Sequence, residues 1–196
     1  MADNQTEIEI KYRLPNQSTY DSILKQIFLQ SGIRFESSFY ETNVILDDID
    51  GNLKMQDCVL RVRHEAASPT SVIPSNKITV TYKGPASEEN GIKSRYELNV
   101  PANKDILTLL TLLGYKESVR YEKFRISYVW TDENNTGTCH ICLDNLPNVG
   151  FFVEIEGPNE NAIRSSSKLL GLNSPEIVVE KRSYPSIIRD VKNGKA

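Results

Sequence analysis

Histidine, tryptophan and cysteine are scarce in this chain, with two, one and three among 196 residues. His64 and His140 stand far from each other, and neither is given a role. Cys58, Cys139 and Cys142 are too few and too irregularly spaced for a disulfide framework, which agrees with a reducing compartment. Cys139 and Cys142 spell C-x-x-C in TCHIC, but residues three apart on a strand point to opposite faces, and no second Cys or His pair follows. Strand packing is therefore preferred there over a zinc or redox site. No run of about 18 apolar residues exists to span a bilayer, and MADNQTEIEI lacks the basic-then-apolar profile of a signal peptide. A soluble, cytoplasmic protein is predicted, with no membrane partner. A basic excess is also missing, because 23 Lys and Arg face 26 Asp and Glu. The chain as a whole has no attraction for nucleic acid or anionic lipid, so any basic site must be local.

What the sequence does have is strands. Turn-forming clusters at 47–52, 67–76, 84–91, 132–137 and 145–150 cut it into short stretches rich in Val, Ile, Tyr and Phe. Strands are predicted near 5–13, 36–47, 58–66, 76–84, 92–100, 118–131, 138–145 and 150–157. Helical spacing appears from Ser18, from Ala102 and from Asn159, each time ending in a glycine, and again in YPSIIRDVK. At 39% apolar residues the length suits a single domain over 1–196, with 192–196 frayed. Many strands joined by tight turns, with few helices, predict an α+β fold built on an antiparallel sheet.

The charges repeat at period two from strand to strand. TEIEIKYRL places Glu7, Glu9 and Lys11 on one face and Ile8, Ile10, Tyr12 and Leu14 on the other. Arg61 with Arg63, Lys77 with Lys83, Lys93 with Arg95 and Glu97, and Lys123 with Arg125 follow the same rule, as do Glu154 with Glu156. For one strand a solvated polar face would explain this. For the set, the signs are segregated: the first strand and the last two supply carboxylates, Asp144 among them, and the central strands supply Lys and Arg. A solubilising surface would mix them. The alternate faces of DCVLRVRHE, KITVTYKGP and YEKFRISYVW are apolar and need helices over them, which turns the charges inward. A closed eight-stranded antiparallel β-barrel can hold such an interior.

Burying that many ions costs several kcal/mol each unless partners are present. Lys and Arg suit phosphate oxygens, and carboxylates without His or Cys suit a hard divalent cation. Together they describe a polyphosphate bound with Mg²⁺ or Mn²⁺.

E-I-E-I-K at 7–11 resembles the E-x-E-x-K signature of the CYTH domain family, the triphosphate tunnel metalloenzymes. The resemblance continues through LRVR at 60–63, TYKGP at 81–85, Arg95 and Glu97, EKFR at 122–125, LDNL at 143–146, the stretch Phe152 to Glu156, and RSY at 182–184. LGYKESVRYEKFRISYVW and LDNLPNVGFFVEIEG are most similar to the class IV adenylyl cyclase group. The resemblance implies an eight-stranded tunnel with helices outside, holding a triphosphate with Mg²⁺ or Mn²⁺. By position it assigns Glu7, Glu9, Glu154 and Glu156 to the metal, with Asp144 either a further ligand or a carboxylate behind the ligands. Lys11, Arg61, Arg63, Lys77, Lys83, Arg95, Lys123 and Arg125 go to the phosphates, and Glu7, Glu9, Lys11 and Lys83 to catalysis. Two reactions remain open, cyclisation of ATP to cyclic AMP and pyrophosphate, and hydrolysis of tripolyphosphate, a nucleoside triphosphate or thiamine triphosphate. A binding module without catalysis is a third, and a homodimer is among the oligomeric states that the resemblance allows. Lys181 and Trp130 receive no role.

Overall fold

In the computed structural model, residues 6–67, 77–131 and 137–195 are described. The turns expected at 67–76 and 132–137 lie almost wholly outside these residues. Ten strands form one antiparallel sheet: β1 (Thr6–Leu14), β2 (Ile33–Asp47), β3 (Val59–Ala66), β4 (Ile78–Lys83), β5 (Ser87–Glu89), β6 (Ile92–Ala102), β7 (Lys116–Thr131), β8 (Thr138–Leu146), β9 (Gly150–Glu156) and β10 (Val178–Val179). The helices are α1 (Gln17–Leu29), α2 (Asn52–Met55), α3 (Ile106–Leu112), α4 (Glu160–Leu169) and α5 (Tyr184–Lys192).

The pairing runs β1-β9-β8-β7-β2-β3-β4-β6, and β6 returns to β1 through Glu7 opposite Arg95 and Glu9 opposite Lys93. Eight strands thus form a hydrogen-bonded ring, matching the eight read from sequence. β5 and β10 are short additions paired to β6 and β1. Two and three residues carry no readable period, which is why neither was expected.

Alternation decides which side chains face where. Ile10, Tyr12 and Leu14 of β1, Ile141 and Leu143 of β8, and Val153 and Ile155 of β9 are buried on the outer face beneath Tyr20, Ile23 and Ile27 of α1 and Ile163 of α4. Cys139 and Trp130 belong to this core. Val44, Leu46, Val62 and Ile78 form a second outer cluster under Ile106, Leu107 and Leu110 of α3. The Asn16 side chain accepts from the backbone N–H of Thr19 at 2.9 Å and starts α1, and Asn159 does the same for α4 through Ala162. Gly171, at φ 68°, ends α4 in the left-handed conformation that glycine adopts without penalty.

Several boundaries differ from those expected. β2 begins at Ile33 because its ladder with β7 extends to the Ile33–Trp130 pair. β6 runs on to Ala102, opposite Ile78, so the third helix starts at Ile106 instead of Ala102. The turn at 47–52 leads into one helical turn, α2, whose first N–H groups at Leu53 and Lys54 are accepted by Asp47 at 2.9 and 3.1 Å. After α5 the backbone N–H groups of Asn193, Gly194 and Lys195 bond back to carbonyls of the helix.

The larger difference is α5. It packs against the inward-facing residues Ile45, Val119, Tyr121, Leu146 and Phe152 instead of the outside of the ring. Burying Ile187 and Ile188 there stabilises by about 1.5–3 kcal/mol each. The Ser183 side chain accepts from the N–H of Ser186 at 3.4 Å at the start of the helix, and Pro185 occupies its first turn, where no N–H is needed.

Candidate active site

The inner faces of the ring surround a cavity of about 500 Å³. All eight basic residues expected to hold phosphate line it: Lys11, Arg61, Arg63, Lys77, Lys83, Arg95, Lys123 and Arg125. Glu7, Glu9, Glu154 and Glu156 line it as well. Period two made this legible, because residues i and i+2 on a strand share a face whatever the neighbouring strands do.

Three groups of ion pairs organise the wall. In the first, Lys83 Nζ donates to both Glu7 oxygens at 2.7 and 2.8 Å and lies 2.5 Å from Glu97 Oε2. Arg95 donates to Glu7 at 3.2 Å and to Glu9 at 3.3 Å. Burial, only partly offset by Lys83 and reinforced by Glu9 and Glu97, raises the Glu7 carboxyl to about 7. Burial also works against ionisation of Glu97, but Lys83 and the hydrogen bonds from Glu7 and Lys83 outweigh it and hold that carboxyl at about 2.

In the second group Asp144 is the hub. Arg125 binds it through Nε at 2.7 Å and Nη2 at 2.5 Å, Lys123 Nζ donates at 3.0 Å, and the Tyr184 hydroxyl donates at 2.7 Å. Asp144 has no exposed surface and does not reach the cavity wall. Arg125 also bonds Glu154, and Lys11 Nζ lies 3.8 Å from the same carboxylate. Burial pushes the Lys11 ammonium down, against the pull of Glu154, Glu9 and Glu180.

The third group was missed in the sequence reading. Glu41 lies 3.3 Å from Arg63 and 3.6 Å from Lys123, and is 3% exposed. Burial would raise its carboxyl, but Lys123, Arg63 and Arg125 outweigh that and hold it far below the ordinary range. It is the one charge at its end of FYETNVILD, so no charge alternation marked it. Glu65, which pairs with Lys77 at 3.0 Å, was readable, since it continues the Arg61, Arg63 period. Tyr121, Ser183, Tyr184 and Pro185 also line the cavity and were not expected there.

Arg61 stands apart. Its Nη2 donates to Thr81 Oγ1 at 3.1 Å, but among the described residues it has no carboxylate partner, and its Nε is buried without a hydrogen bond. Burial and the neighbouring Arg63 lower its guanidinium, against the pull of Glu41 and Glu97.

The carboxylates are of the type that suits a hard divalent cation. Glu7, Glu9, Glu154 and Glu156 come from adjacent strands, with Glu9 directly opposite Glu156 in register. Burial, then Glu97, raises the Glu156 carboxyl, and burial raises Glu7, whereas Arg125, Lys123 and Lys11 outweigh burial at Glu154 and hold it well below the ordinary range. No three His, Cys, Asp or Glu side chains among the described residues converge as a ready cage. The C-x-x-C pair divides as expected, Cys139 into the outer core and Cys142 onto the cavity wall.

A closed ring of antiparallel strands around a wall of alternating cations and carboxylates defines the class, and residues 5–171 match the model of the CYTH domain. The chain belongs to that family. Among solved structures, a protein of Pyrococcus horikoshii OT3 superposes with a TM-score of 0.70 at 24% identity, over 94% of this chain and 99% of that one. A Vibrio parahaemolyticus protein described as a candidate adenylate cyclase gives 0.65 at 22% identity, over 95% and 99%. A Hippeastrum protein gives 0.68 at 16% identity, over 97% of each chain, and is described as a candidate adenylyl cyclase with a dominant triphosphatase activity. No curated protein matches this chain. These likenesses show the shared fold. No helix among the described residues is long and apolar enough to cross a membrane.

Proposed function

We propose that the ring is a tunnel-like site in which this chain binds a triphosphate and breaks one of its phosphorus–oxygen bonds, with Mg²⁺ or Mn²⁺ as cofactor. The observation that carries this reading is Arg61, a cation on the wall of the cavity with no carboxylate partner among the described residues.

Arg61 and Arg63 offer planar forks suited to bidentate phosphate binding, and Lys123 and Arg125 are held in place by Asp144 and Glu41. Asp144 is an anchor for these cations more than a metal ligand, because four hydrogen bonds occupy its two oxygens. Glu7, Glu9, Glu154 and Glu156 are the residues that would hold the metal. Such an ion supplies charge neutralisation at the phosphate oxygens and a lowered pKa for the attacking hydroxyl or water. Lys11, whose ammonium is destabilised by burial, and Lys83, held between Glu7 and Glu97, are placed to orient that nucleophile.

Cyclisation of ATP, as in the class IV adenylyl cyclase group, uses a ribose hydroxyl as nucleophile; hydrolysis uses water in the same grip. The triphosphatase activity described for the Hippeastrum protein of the same fold supports keeping hydrolysis as the second reading. The test offers the purified chain ATP, tripolyphosphate and thiamine triphosphate with Mg²⁺ or Mn²⁺. Cyclic AMP with pyrophosphate marks the cyclase and orthophosphate the hydrolase. Tight binding of all three without turnover would sink the catalytic reading.

A further inference from the structure

β7 is longer than the strand beside it. On one side it pairs with β2 along 116–130, but on the other β8 accompanies it only along 124–131. Past Leu146 the chain turns back into β9, and among the described residues no strand takes the place beside 116–122. No backbone bond from a turn or from α5 reaches that side either, among the described residues. Ser118 is an extra residue in the ladder with β2, between the Val119–Ile45 and Glu117–Leu46 pairs, and Arg189 of α5 donates to its Oγ at 2.8 Å. The regular open edge is therefore 119–122. The vacant place beside it is a groove of about 270 Å³. Tyr121, Val149, Ile188 and Val191 give it an apolar lining, while the exposed Arg120, Glu122 and Lys192 charge its rim. The rim has two signs. Arg120 bonds Glu117 at 2.6 Å, and with Lys192 beyond it holds that carboxyl below its ordinary range, so two cations meet one anion at this end. Glu122 marks the other end.

An open strand edge has a specific complement. Its N–H and C=O groups are saturated by another extended backbone, whose side chains then alternate between the two faces. A compact small molecule would fill the apolar lining and leave those groups unpaired. We propose that the edge at 119–122 is a docking site for an extended peptide segment of a partner protein, added antiparallel to β7 in the line of β8. The antiparallel order fixes the sequence that fits. Reading the peptide from its N-terminal side, the residue beside Glu122 is basic, the next, beside Tyr121, is apolar and fills the groove, and the one beside Arg120 is acidic. Tyr121 lines the larger cavity as well as the groove, so the docked segment rests against a ring that also walls the candidate active site.

The probe is the peptide Lys-Leu-Glu-Val-Thr, acetylated and amidated at its ends and titrated at millimolar concentration into the isotope-labelled native chain. Backbone amide signals of 119–122 and of the last turn of α5 should shift and saturate. The charge-exchanged peptide Glu-Leu-Lys-Val-Thr should bind about threefold or more weakly. Arg120→Glu combined with Glu122→Lys should reverse that order, and should that variant not fold, Arg120→Gln is expected to level the two peptides. Methylation of alternate peptide amide nitrogens tests the backbone directly: one parity faces β7 and should abolish binding, and the other should leave it intact. Equal tolerance of both parities would reduce the groove to a pocket for an apolar side chain and overturn the proposal. Absence of any shift overturns it too, as does equal binding of the two charge orders to the native chain. A self-association of the native chain that protects the amides of 119–122 and that the peptide does not displace would assign the edge to a second copy, and the proposal would fall.

Discussion

Arg125 and Asp144 face each other across β7 and β8, and the guanidinium grips the carboxylate with two parallel bonds, Nε to Oδ1 at 2.7 Å and Nη2 to Oδ2 at 2.5 Å. Asp144 is wholly buried and also satisfies Lys123 and Tyr184. Asp144→Asn would leave two buried cations short of a counter-charge, which costs about 3–5 kcal/mol for a broken buried pair. Urea denaturation should show that loss as a lower midpoint with an unchanged slope. A variant as stable as the parent would show that the hub is not what holds these cations.

Arg61 makes the opposite prediction. With no carboxylate to abandon, Arg61→Ala should leave the thermal midpoint unchanged or slightly raised. The lost charge-assisted contact should weaken tripolyphosphate binding by roughly 1.5–3 kcal/mol, about ten- to a hundredfold. Calorimetry on the folded variant separates the two effects, and a large fall in stability with intact binding would assign Arg61 to the scaffold.

Glu7 links stability to pH. Its folded value, about 7, lies above the 4.5 of an unburied glutamate, so the folded state holds the proton more tightly than the unfolded chain. Stability from this group is intact below pH 4.5 and is lost as pH rises through 7, by at most about 3 kcal/mol. Glu7→Gln should therefore raise the melting temperature at pH 8 and change it little at pH 4.5. Glu97, held at about 2, runs the other way: its contribution is present above pH 4.5 and fades as pH falls toward 2.

Mn²⁺ or Mg²⁺ should raise the melting temperature of the parent chain, because binding to the folded state alone stabilises it. Glu7→Gln and Glu9→Gln should blunt the rise without needing any assay of turnover. An equal rise in both variants would remove these two carboxylates from the metal site.

The thiols should behave as packing. Cys139 has no exposed surface, and burial raises the Cys142 thiol despite the nearby Arg125. Alkylation by iodoacetamide should be slow in the native chain and complete after unfolding, and a zinc chelator should not shift the melt. Rapid native labelling of Cys142, which is half-buried on the cavity wall, would contradict its raised thiol.

Much of the site was legible because alternation along a strand is a local property. Glu7, Glu9 and Lys11, Arg61 and Arg63, Lys83, Arg95, Lys123 and Arg125 reach one cavity simply by sharing the inward parity of their strands. What the sequence hid depends on register. The bonds that Arg125 makes to Asp144 follow from the ladder that sets the two opposite each other, and Glu41 is silent until β2 pairs it with Lys123. α5 reads as another outer helix, since its amphipathic pattern is the same whether it covers the outside of the ring or fills one end. β5 and β10 are too short for a period to exist.

The ring closes through β1, whose paired residues on β6 and β9 lie more than 80 and more than 130 residues away in sequence. Closure therefore waits for the far end of the polypeptide, and such long-range pairing makes folding slow. Until then β1 is an unpaired edge, open to wrong partners. The carboxylates Glu7 and Glu9 travel on that strand, so the site forms in the same event that completes the ring. A chain that misfolds at this step lacks a working centre as well as a seam.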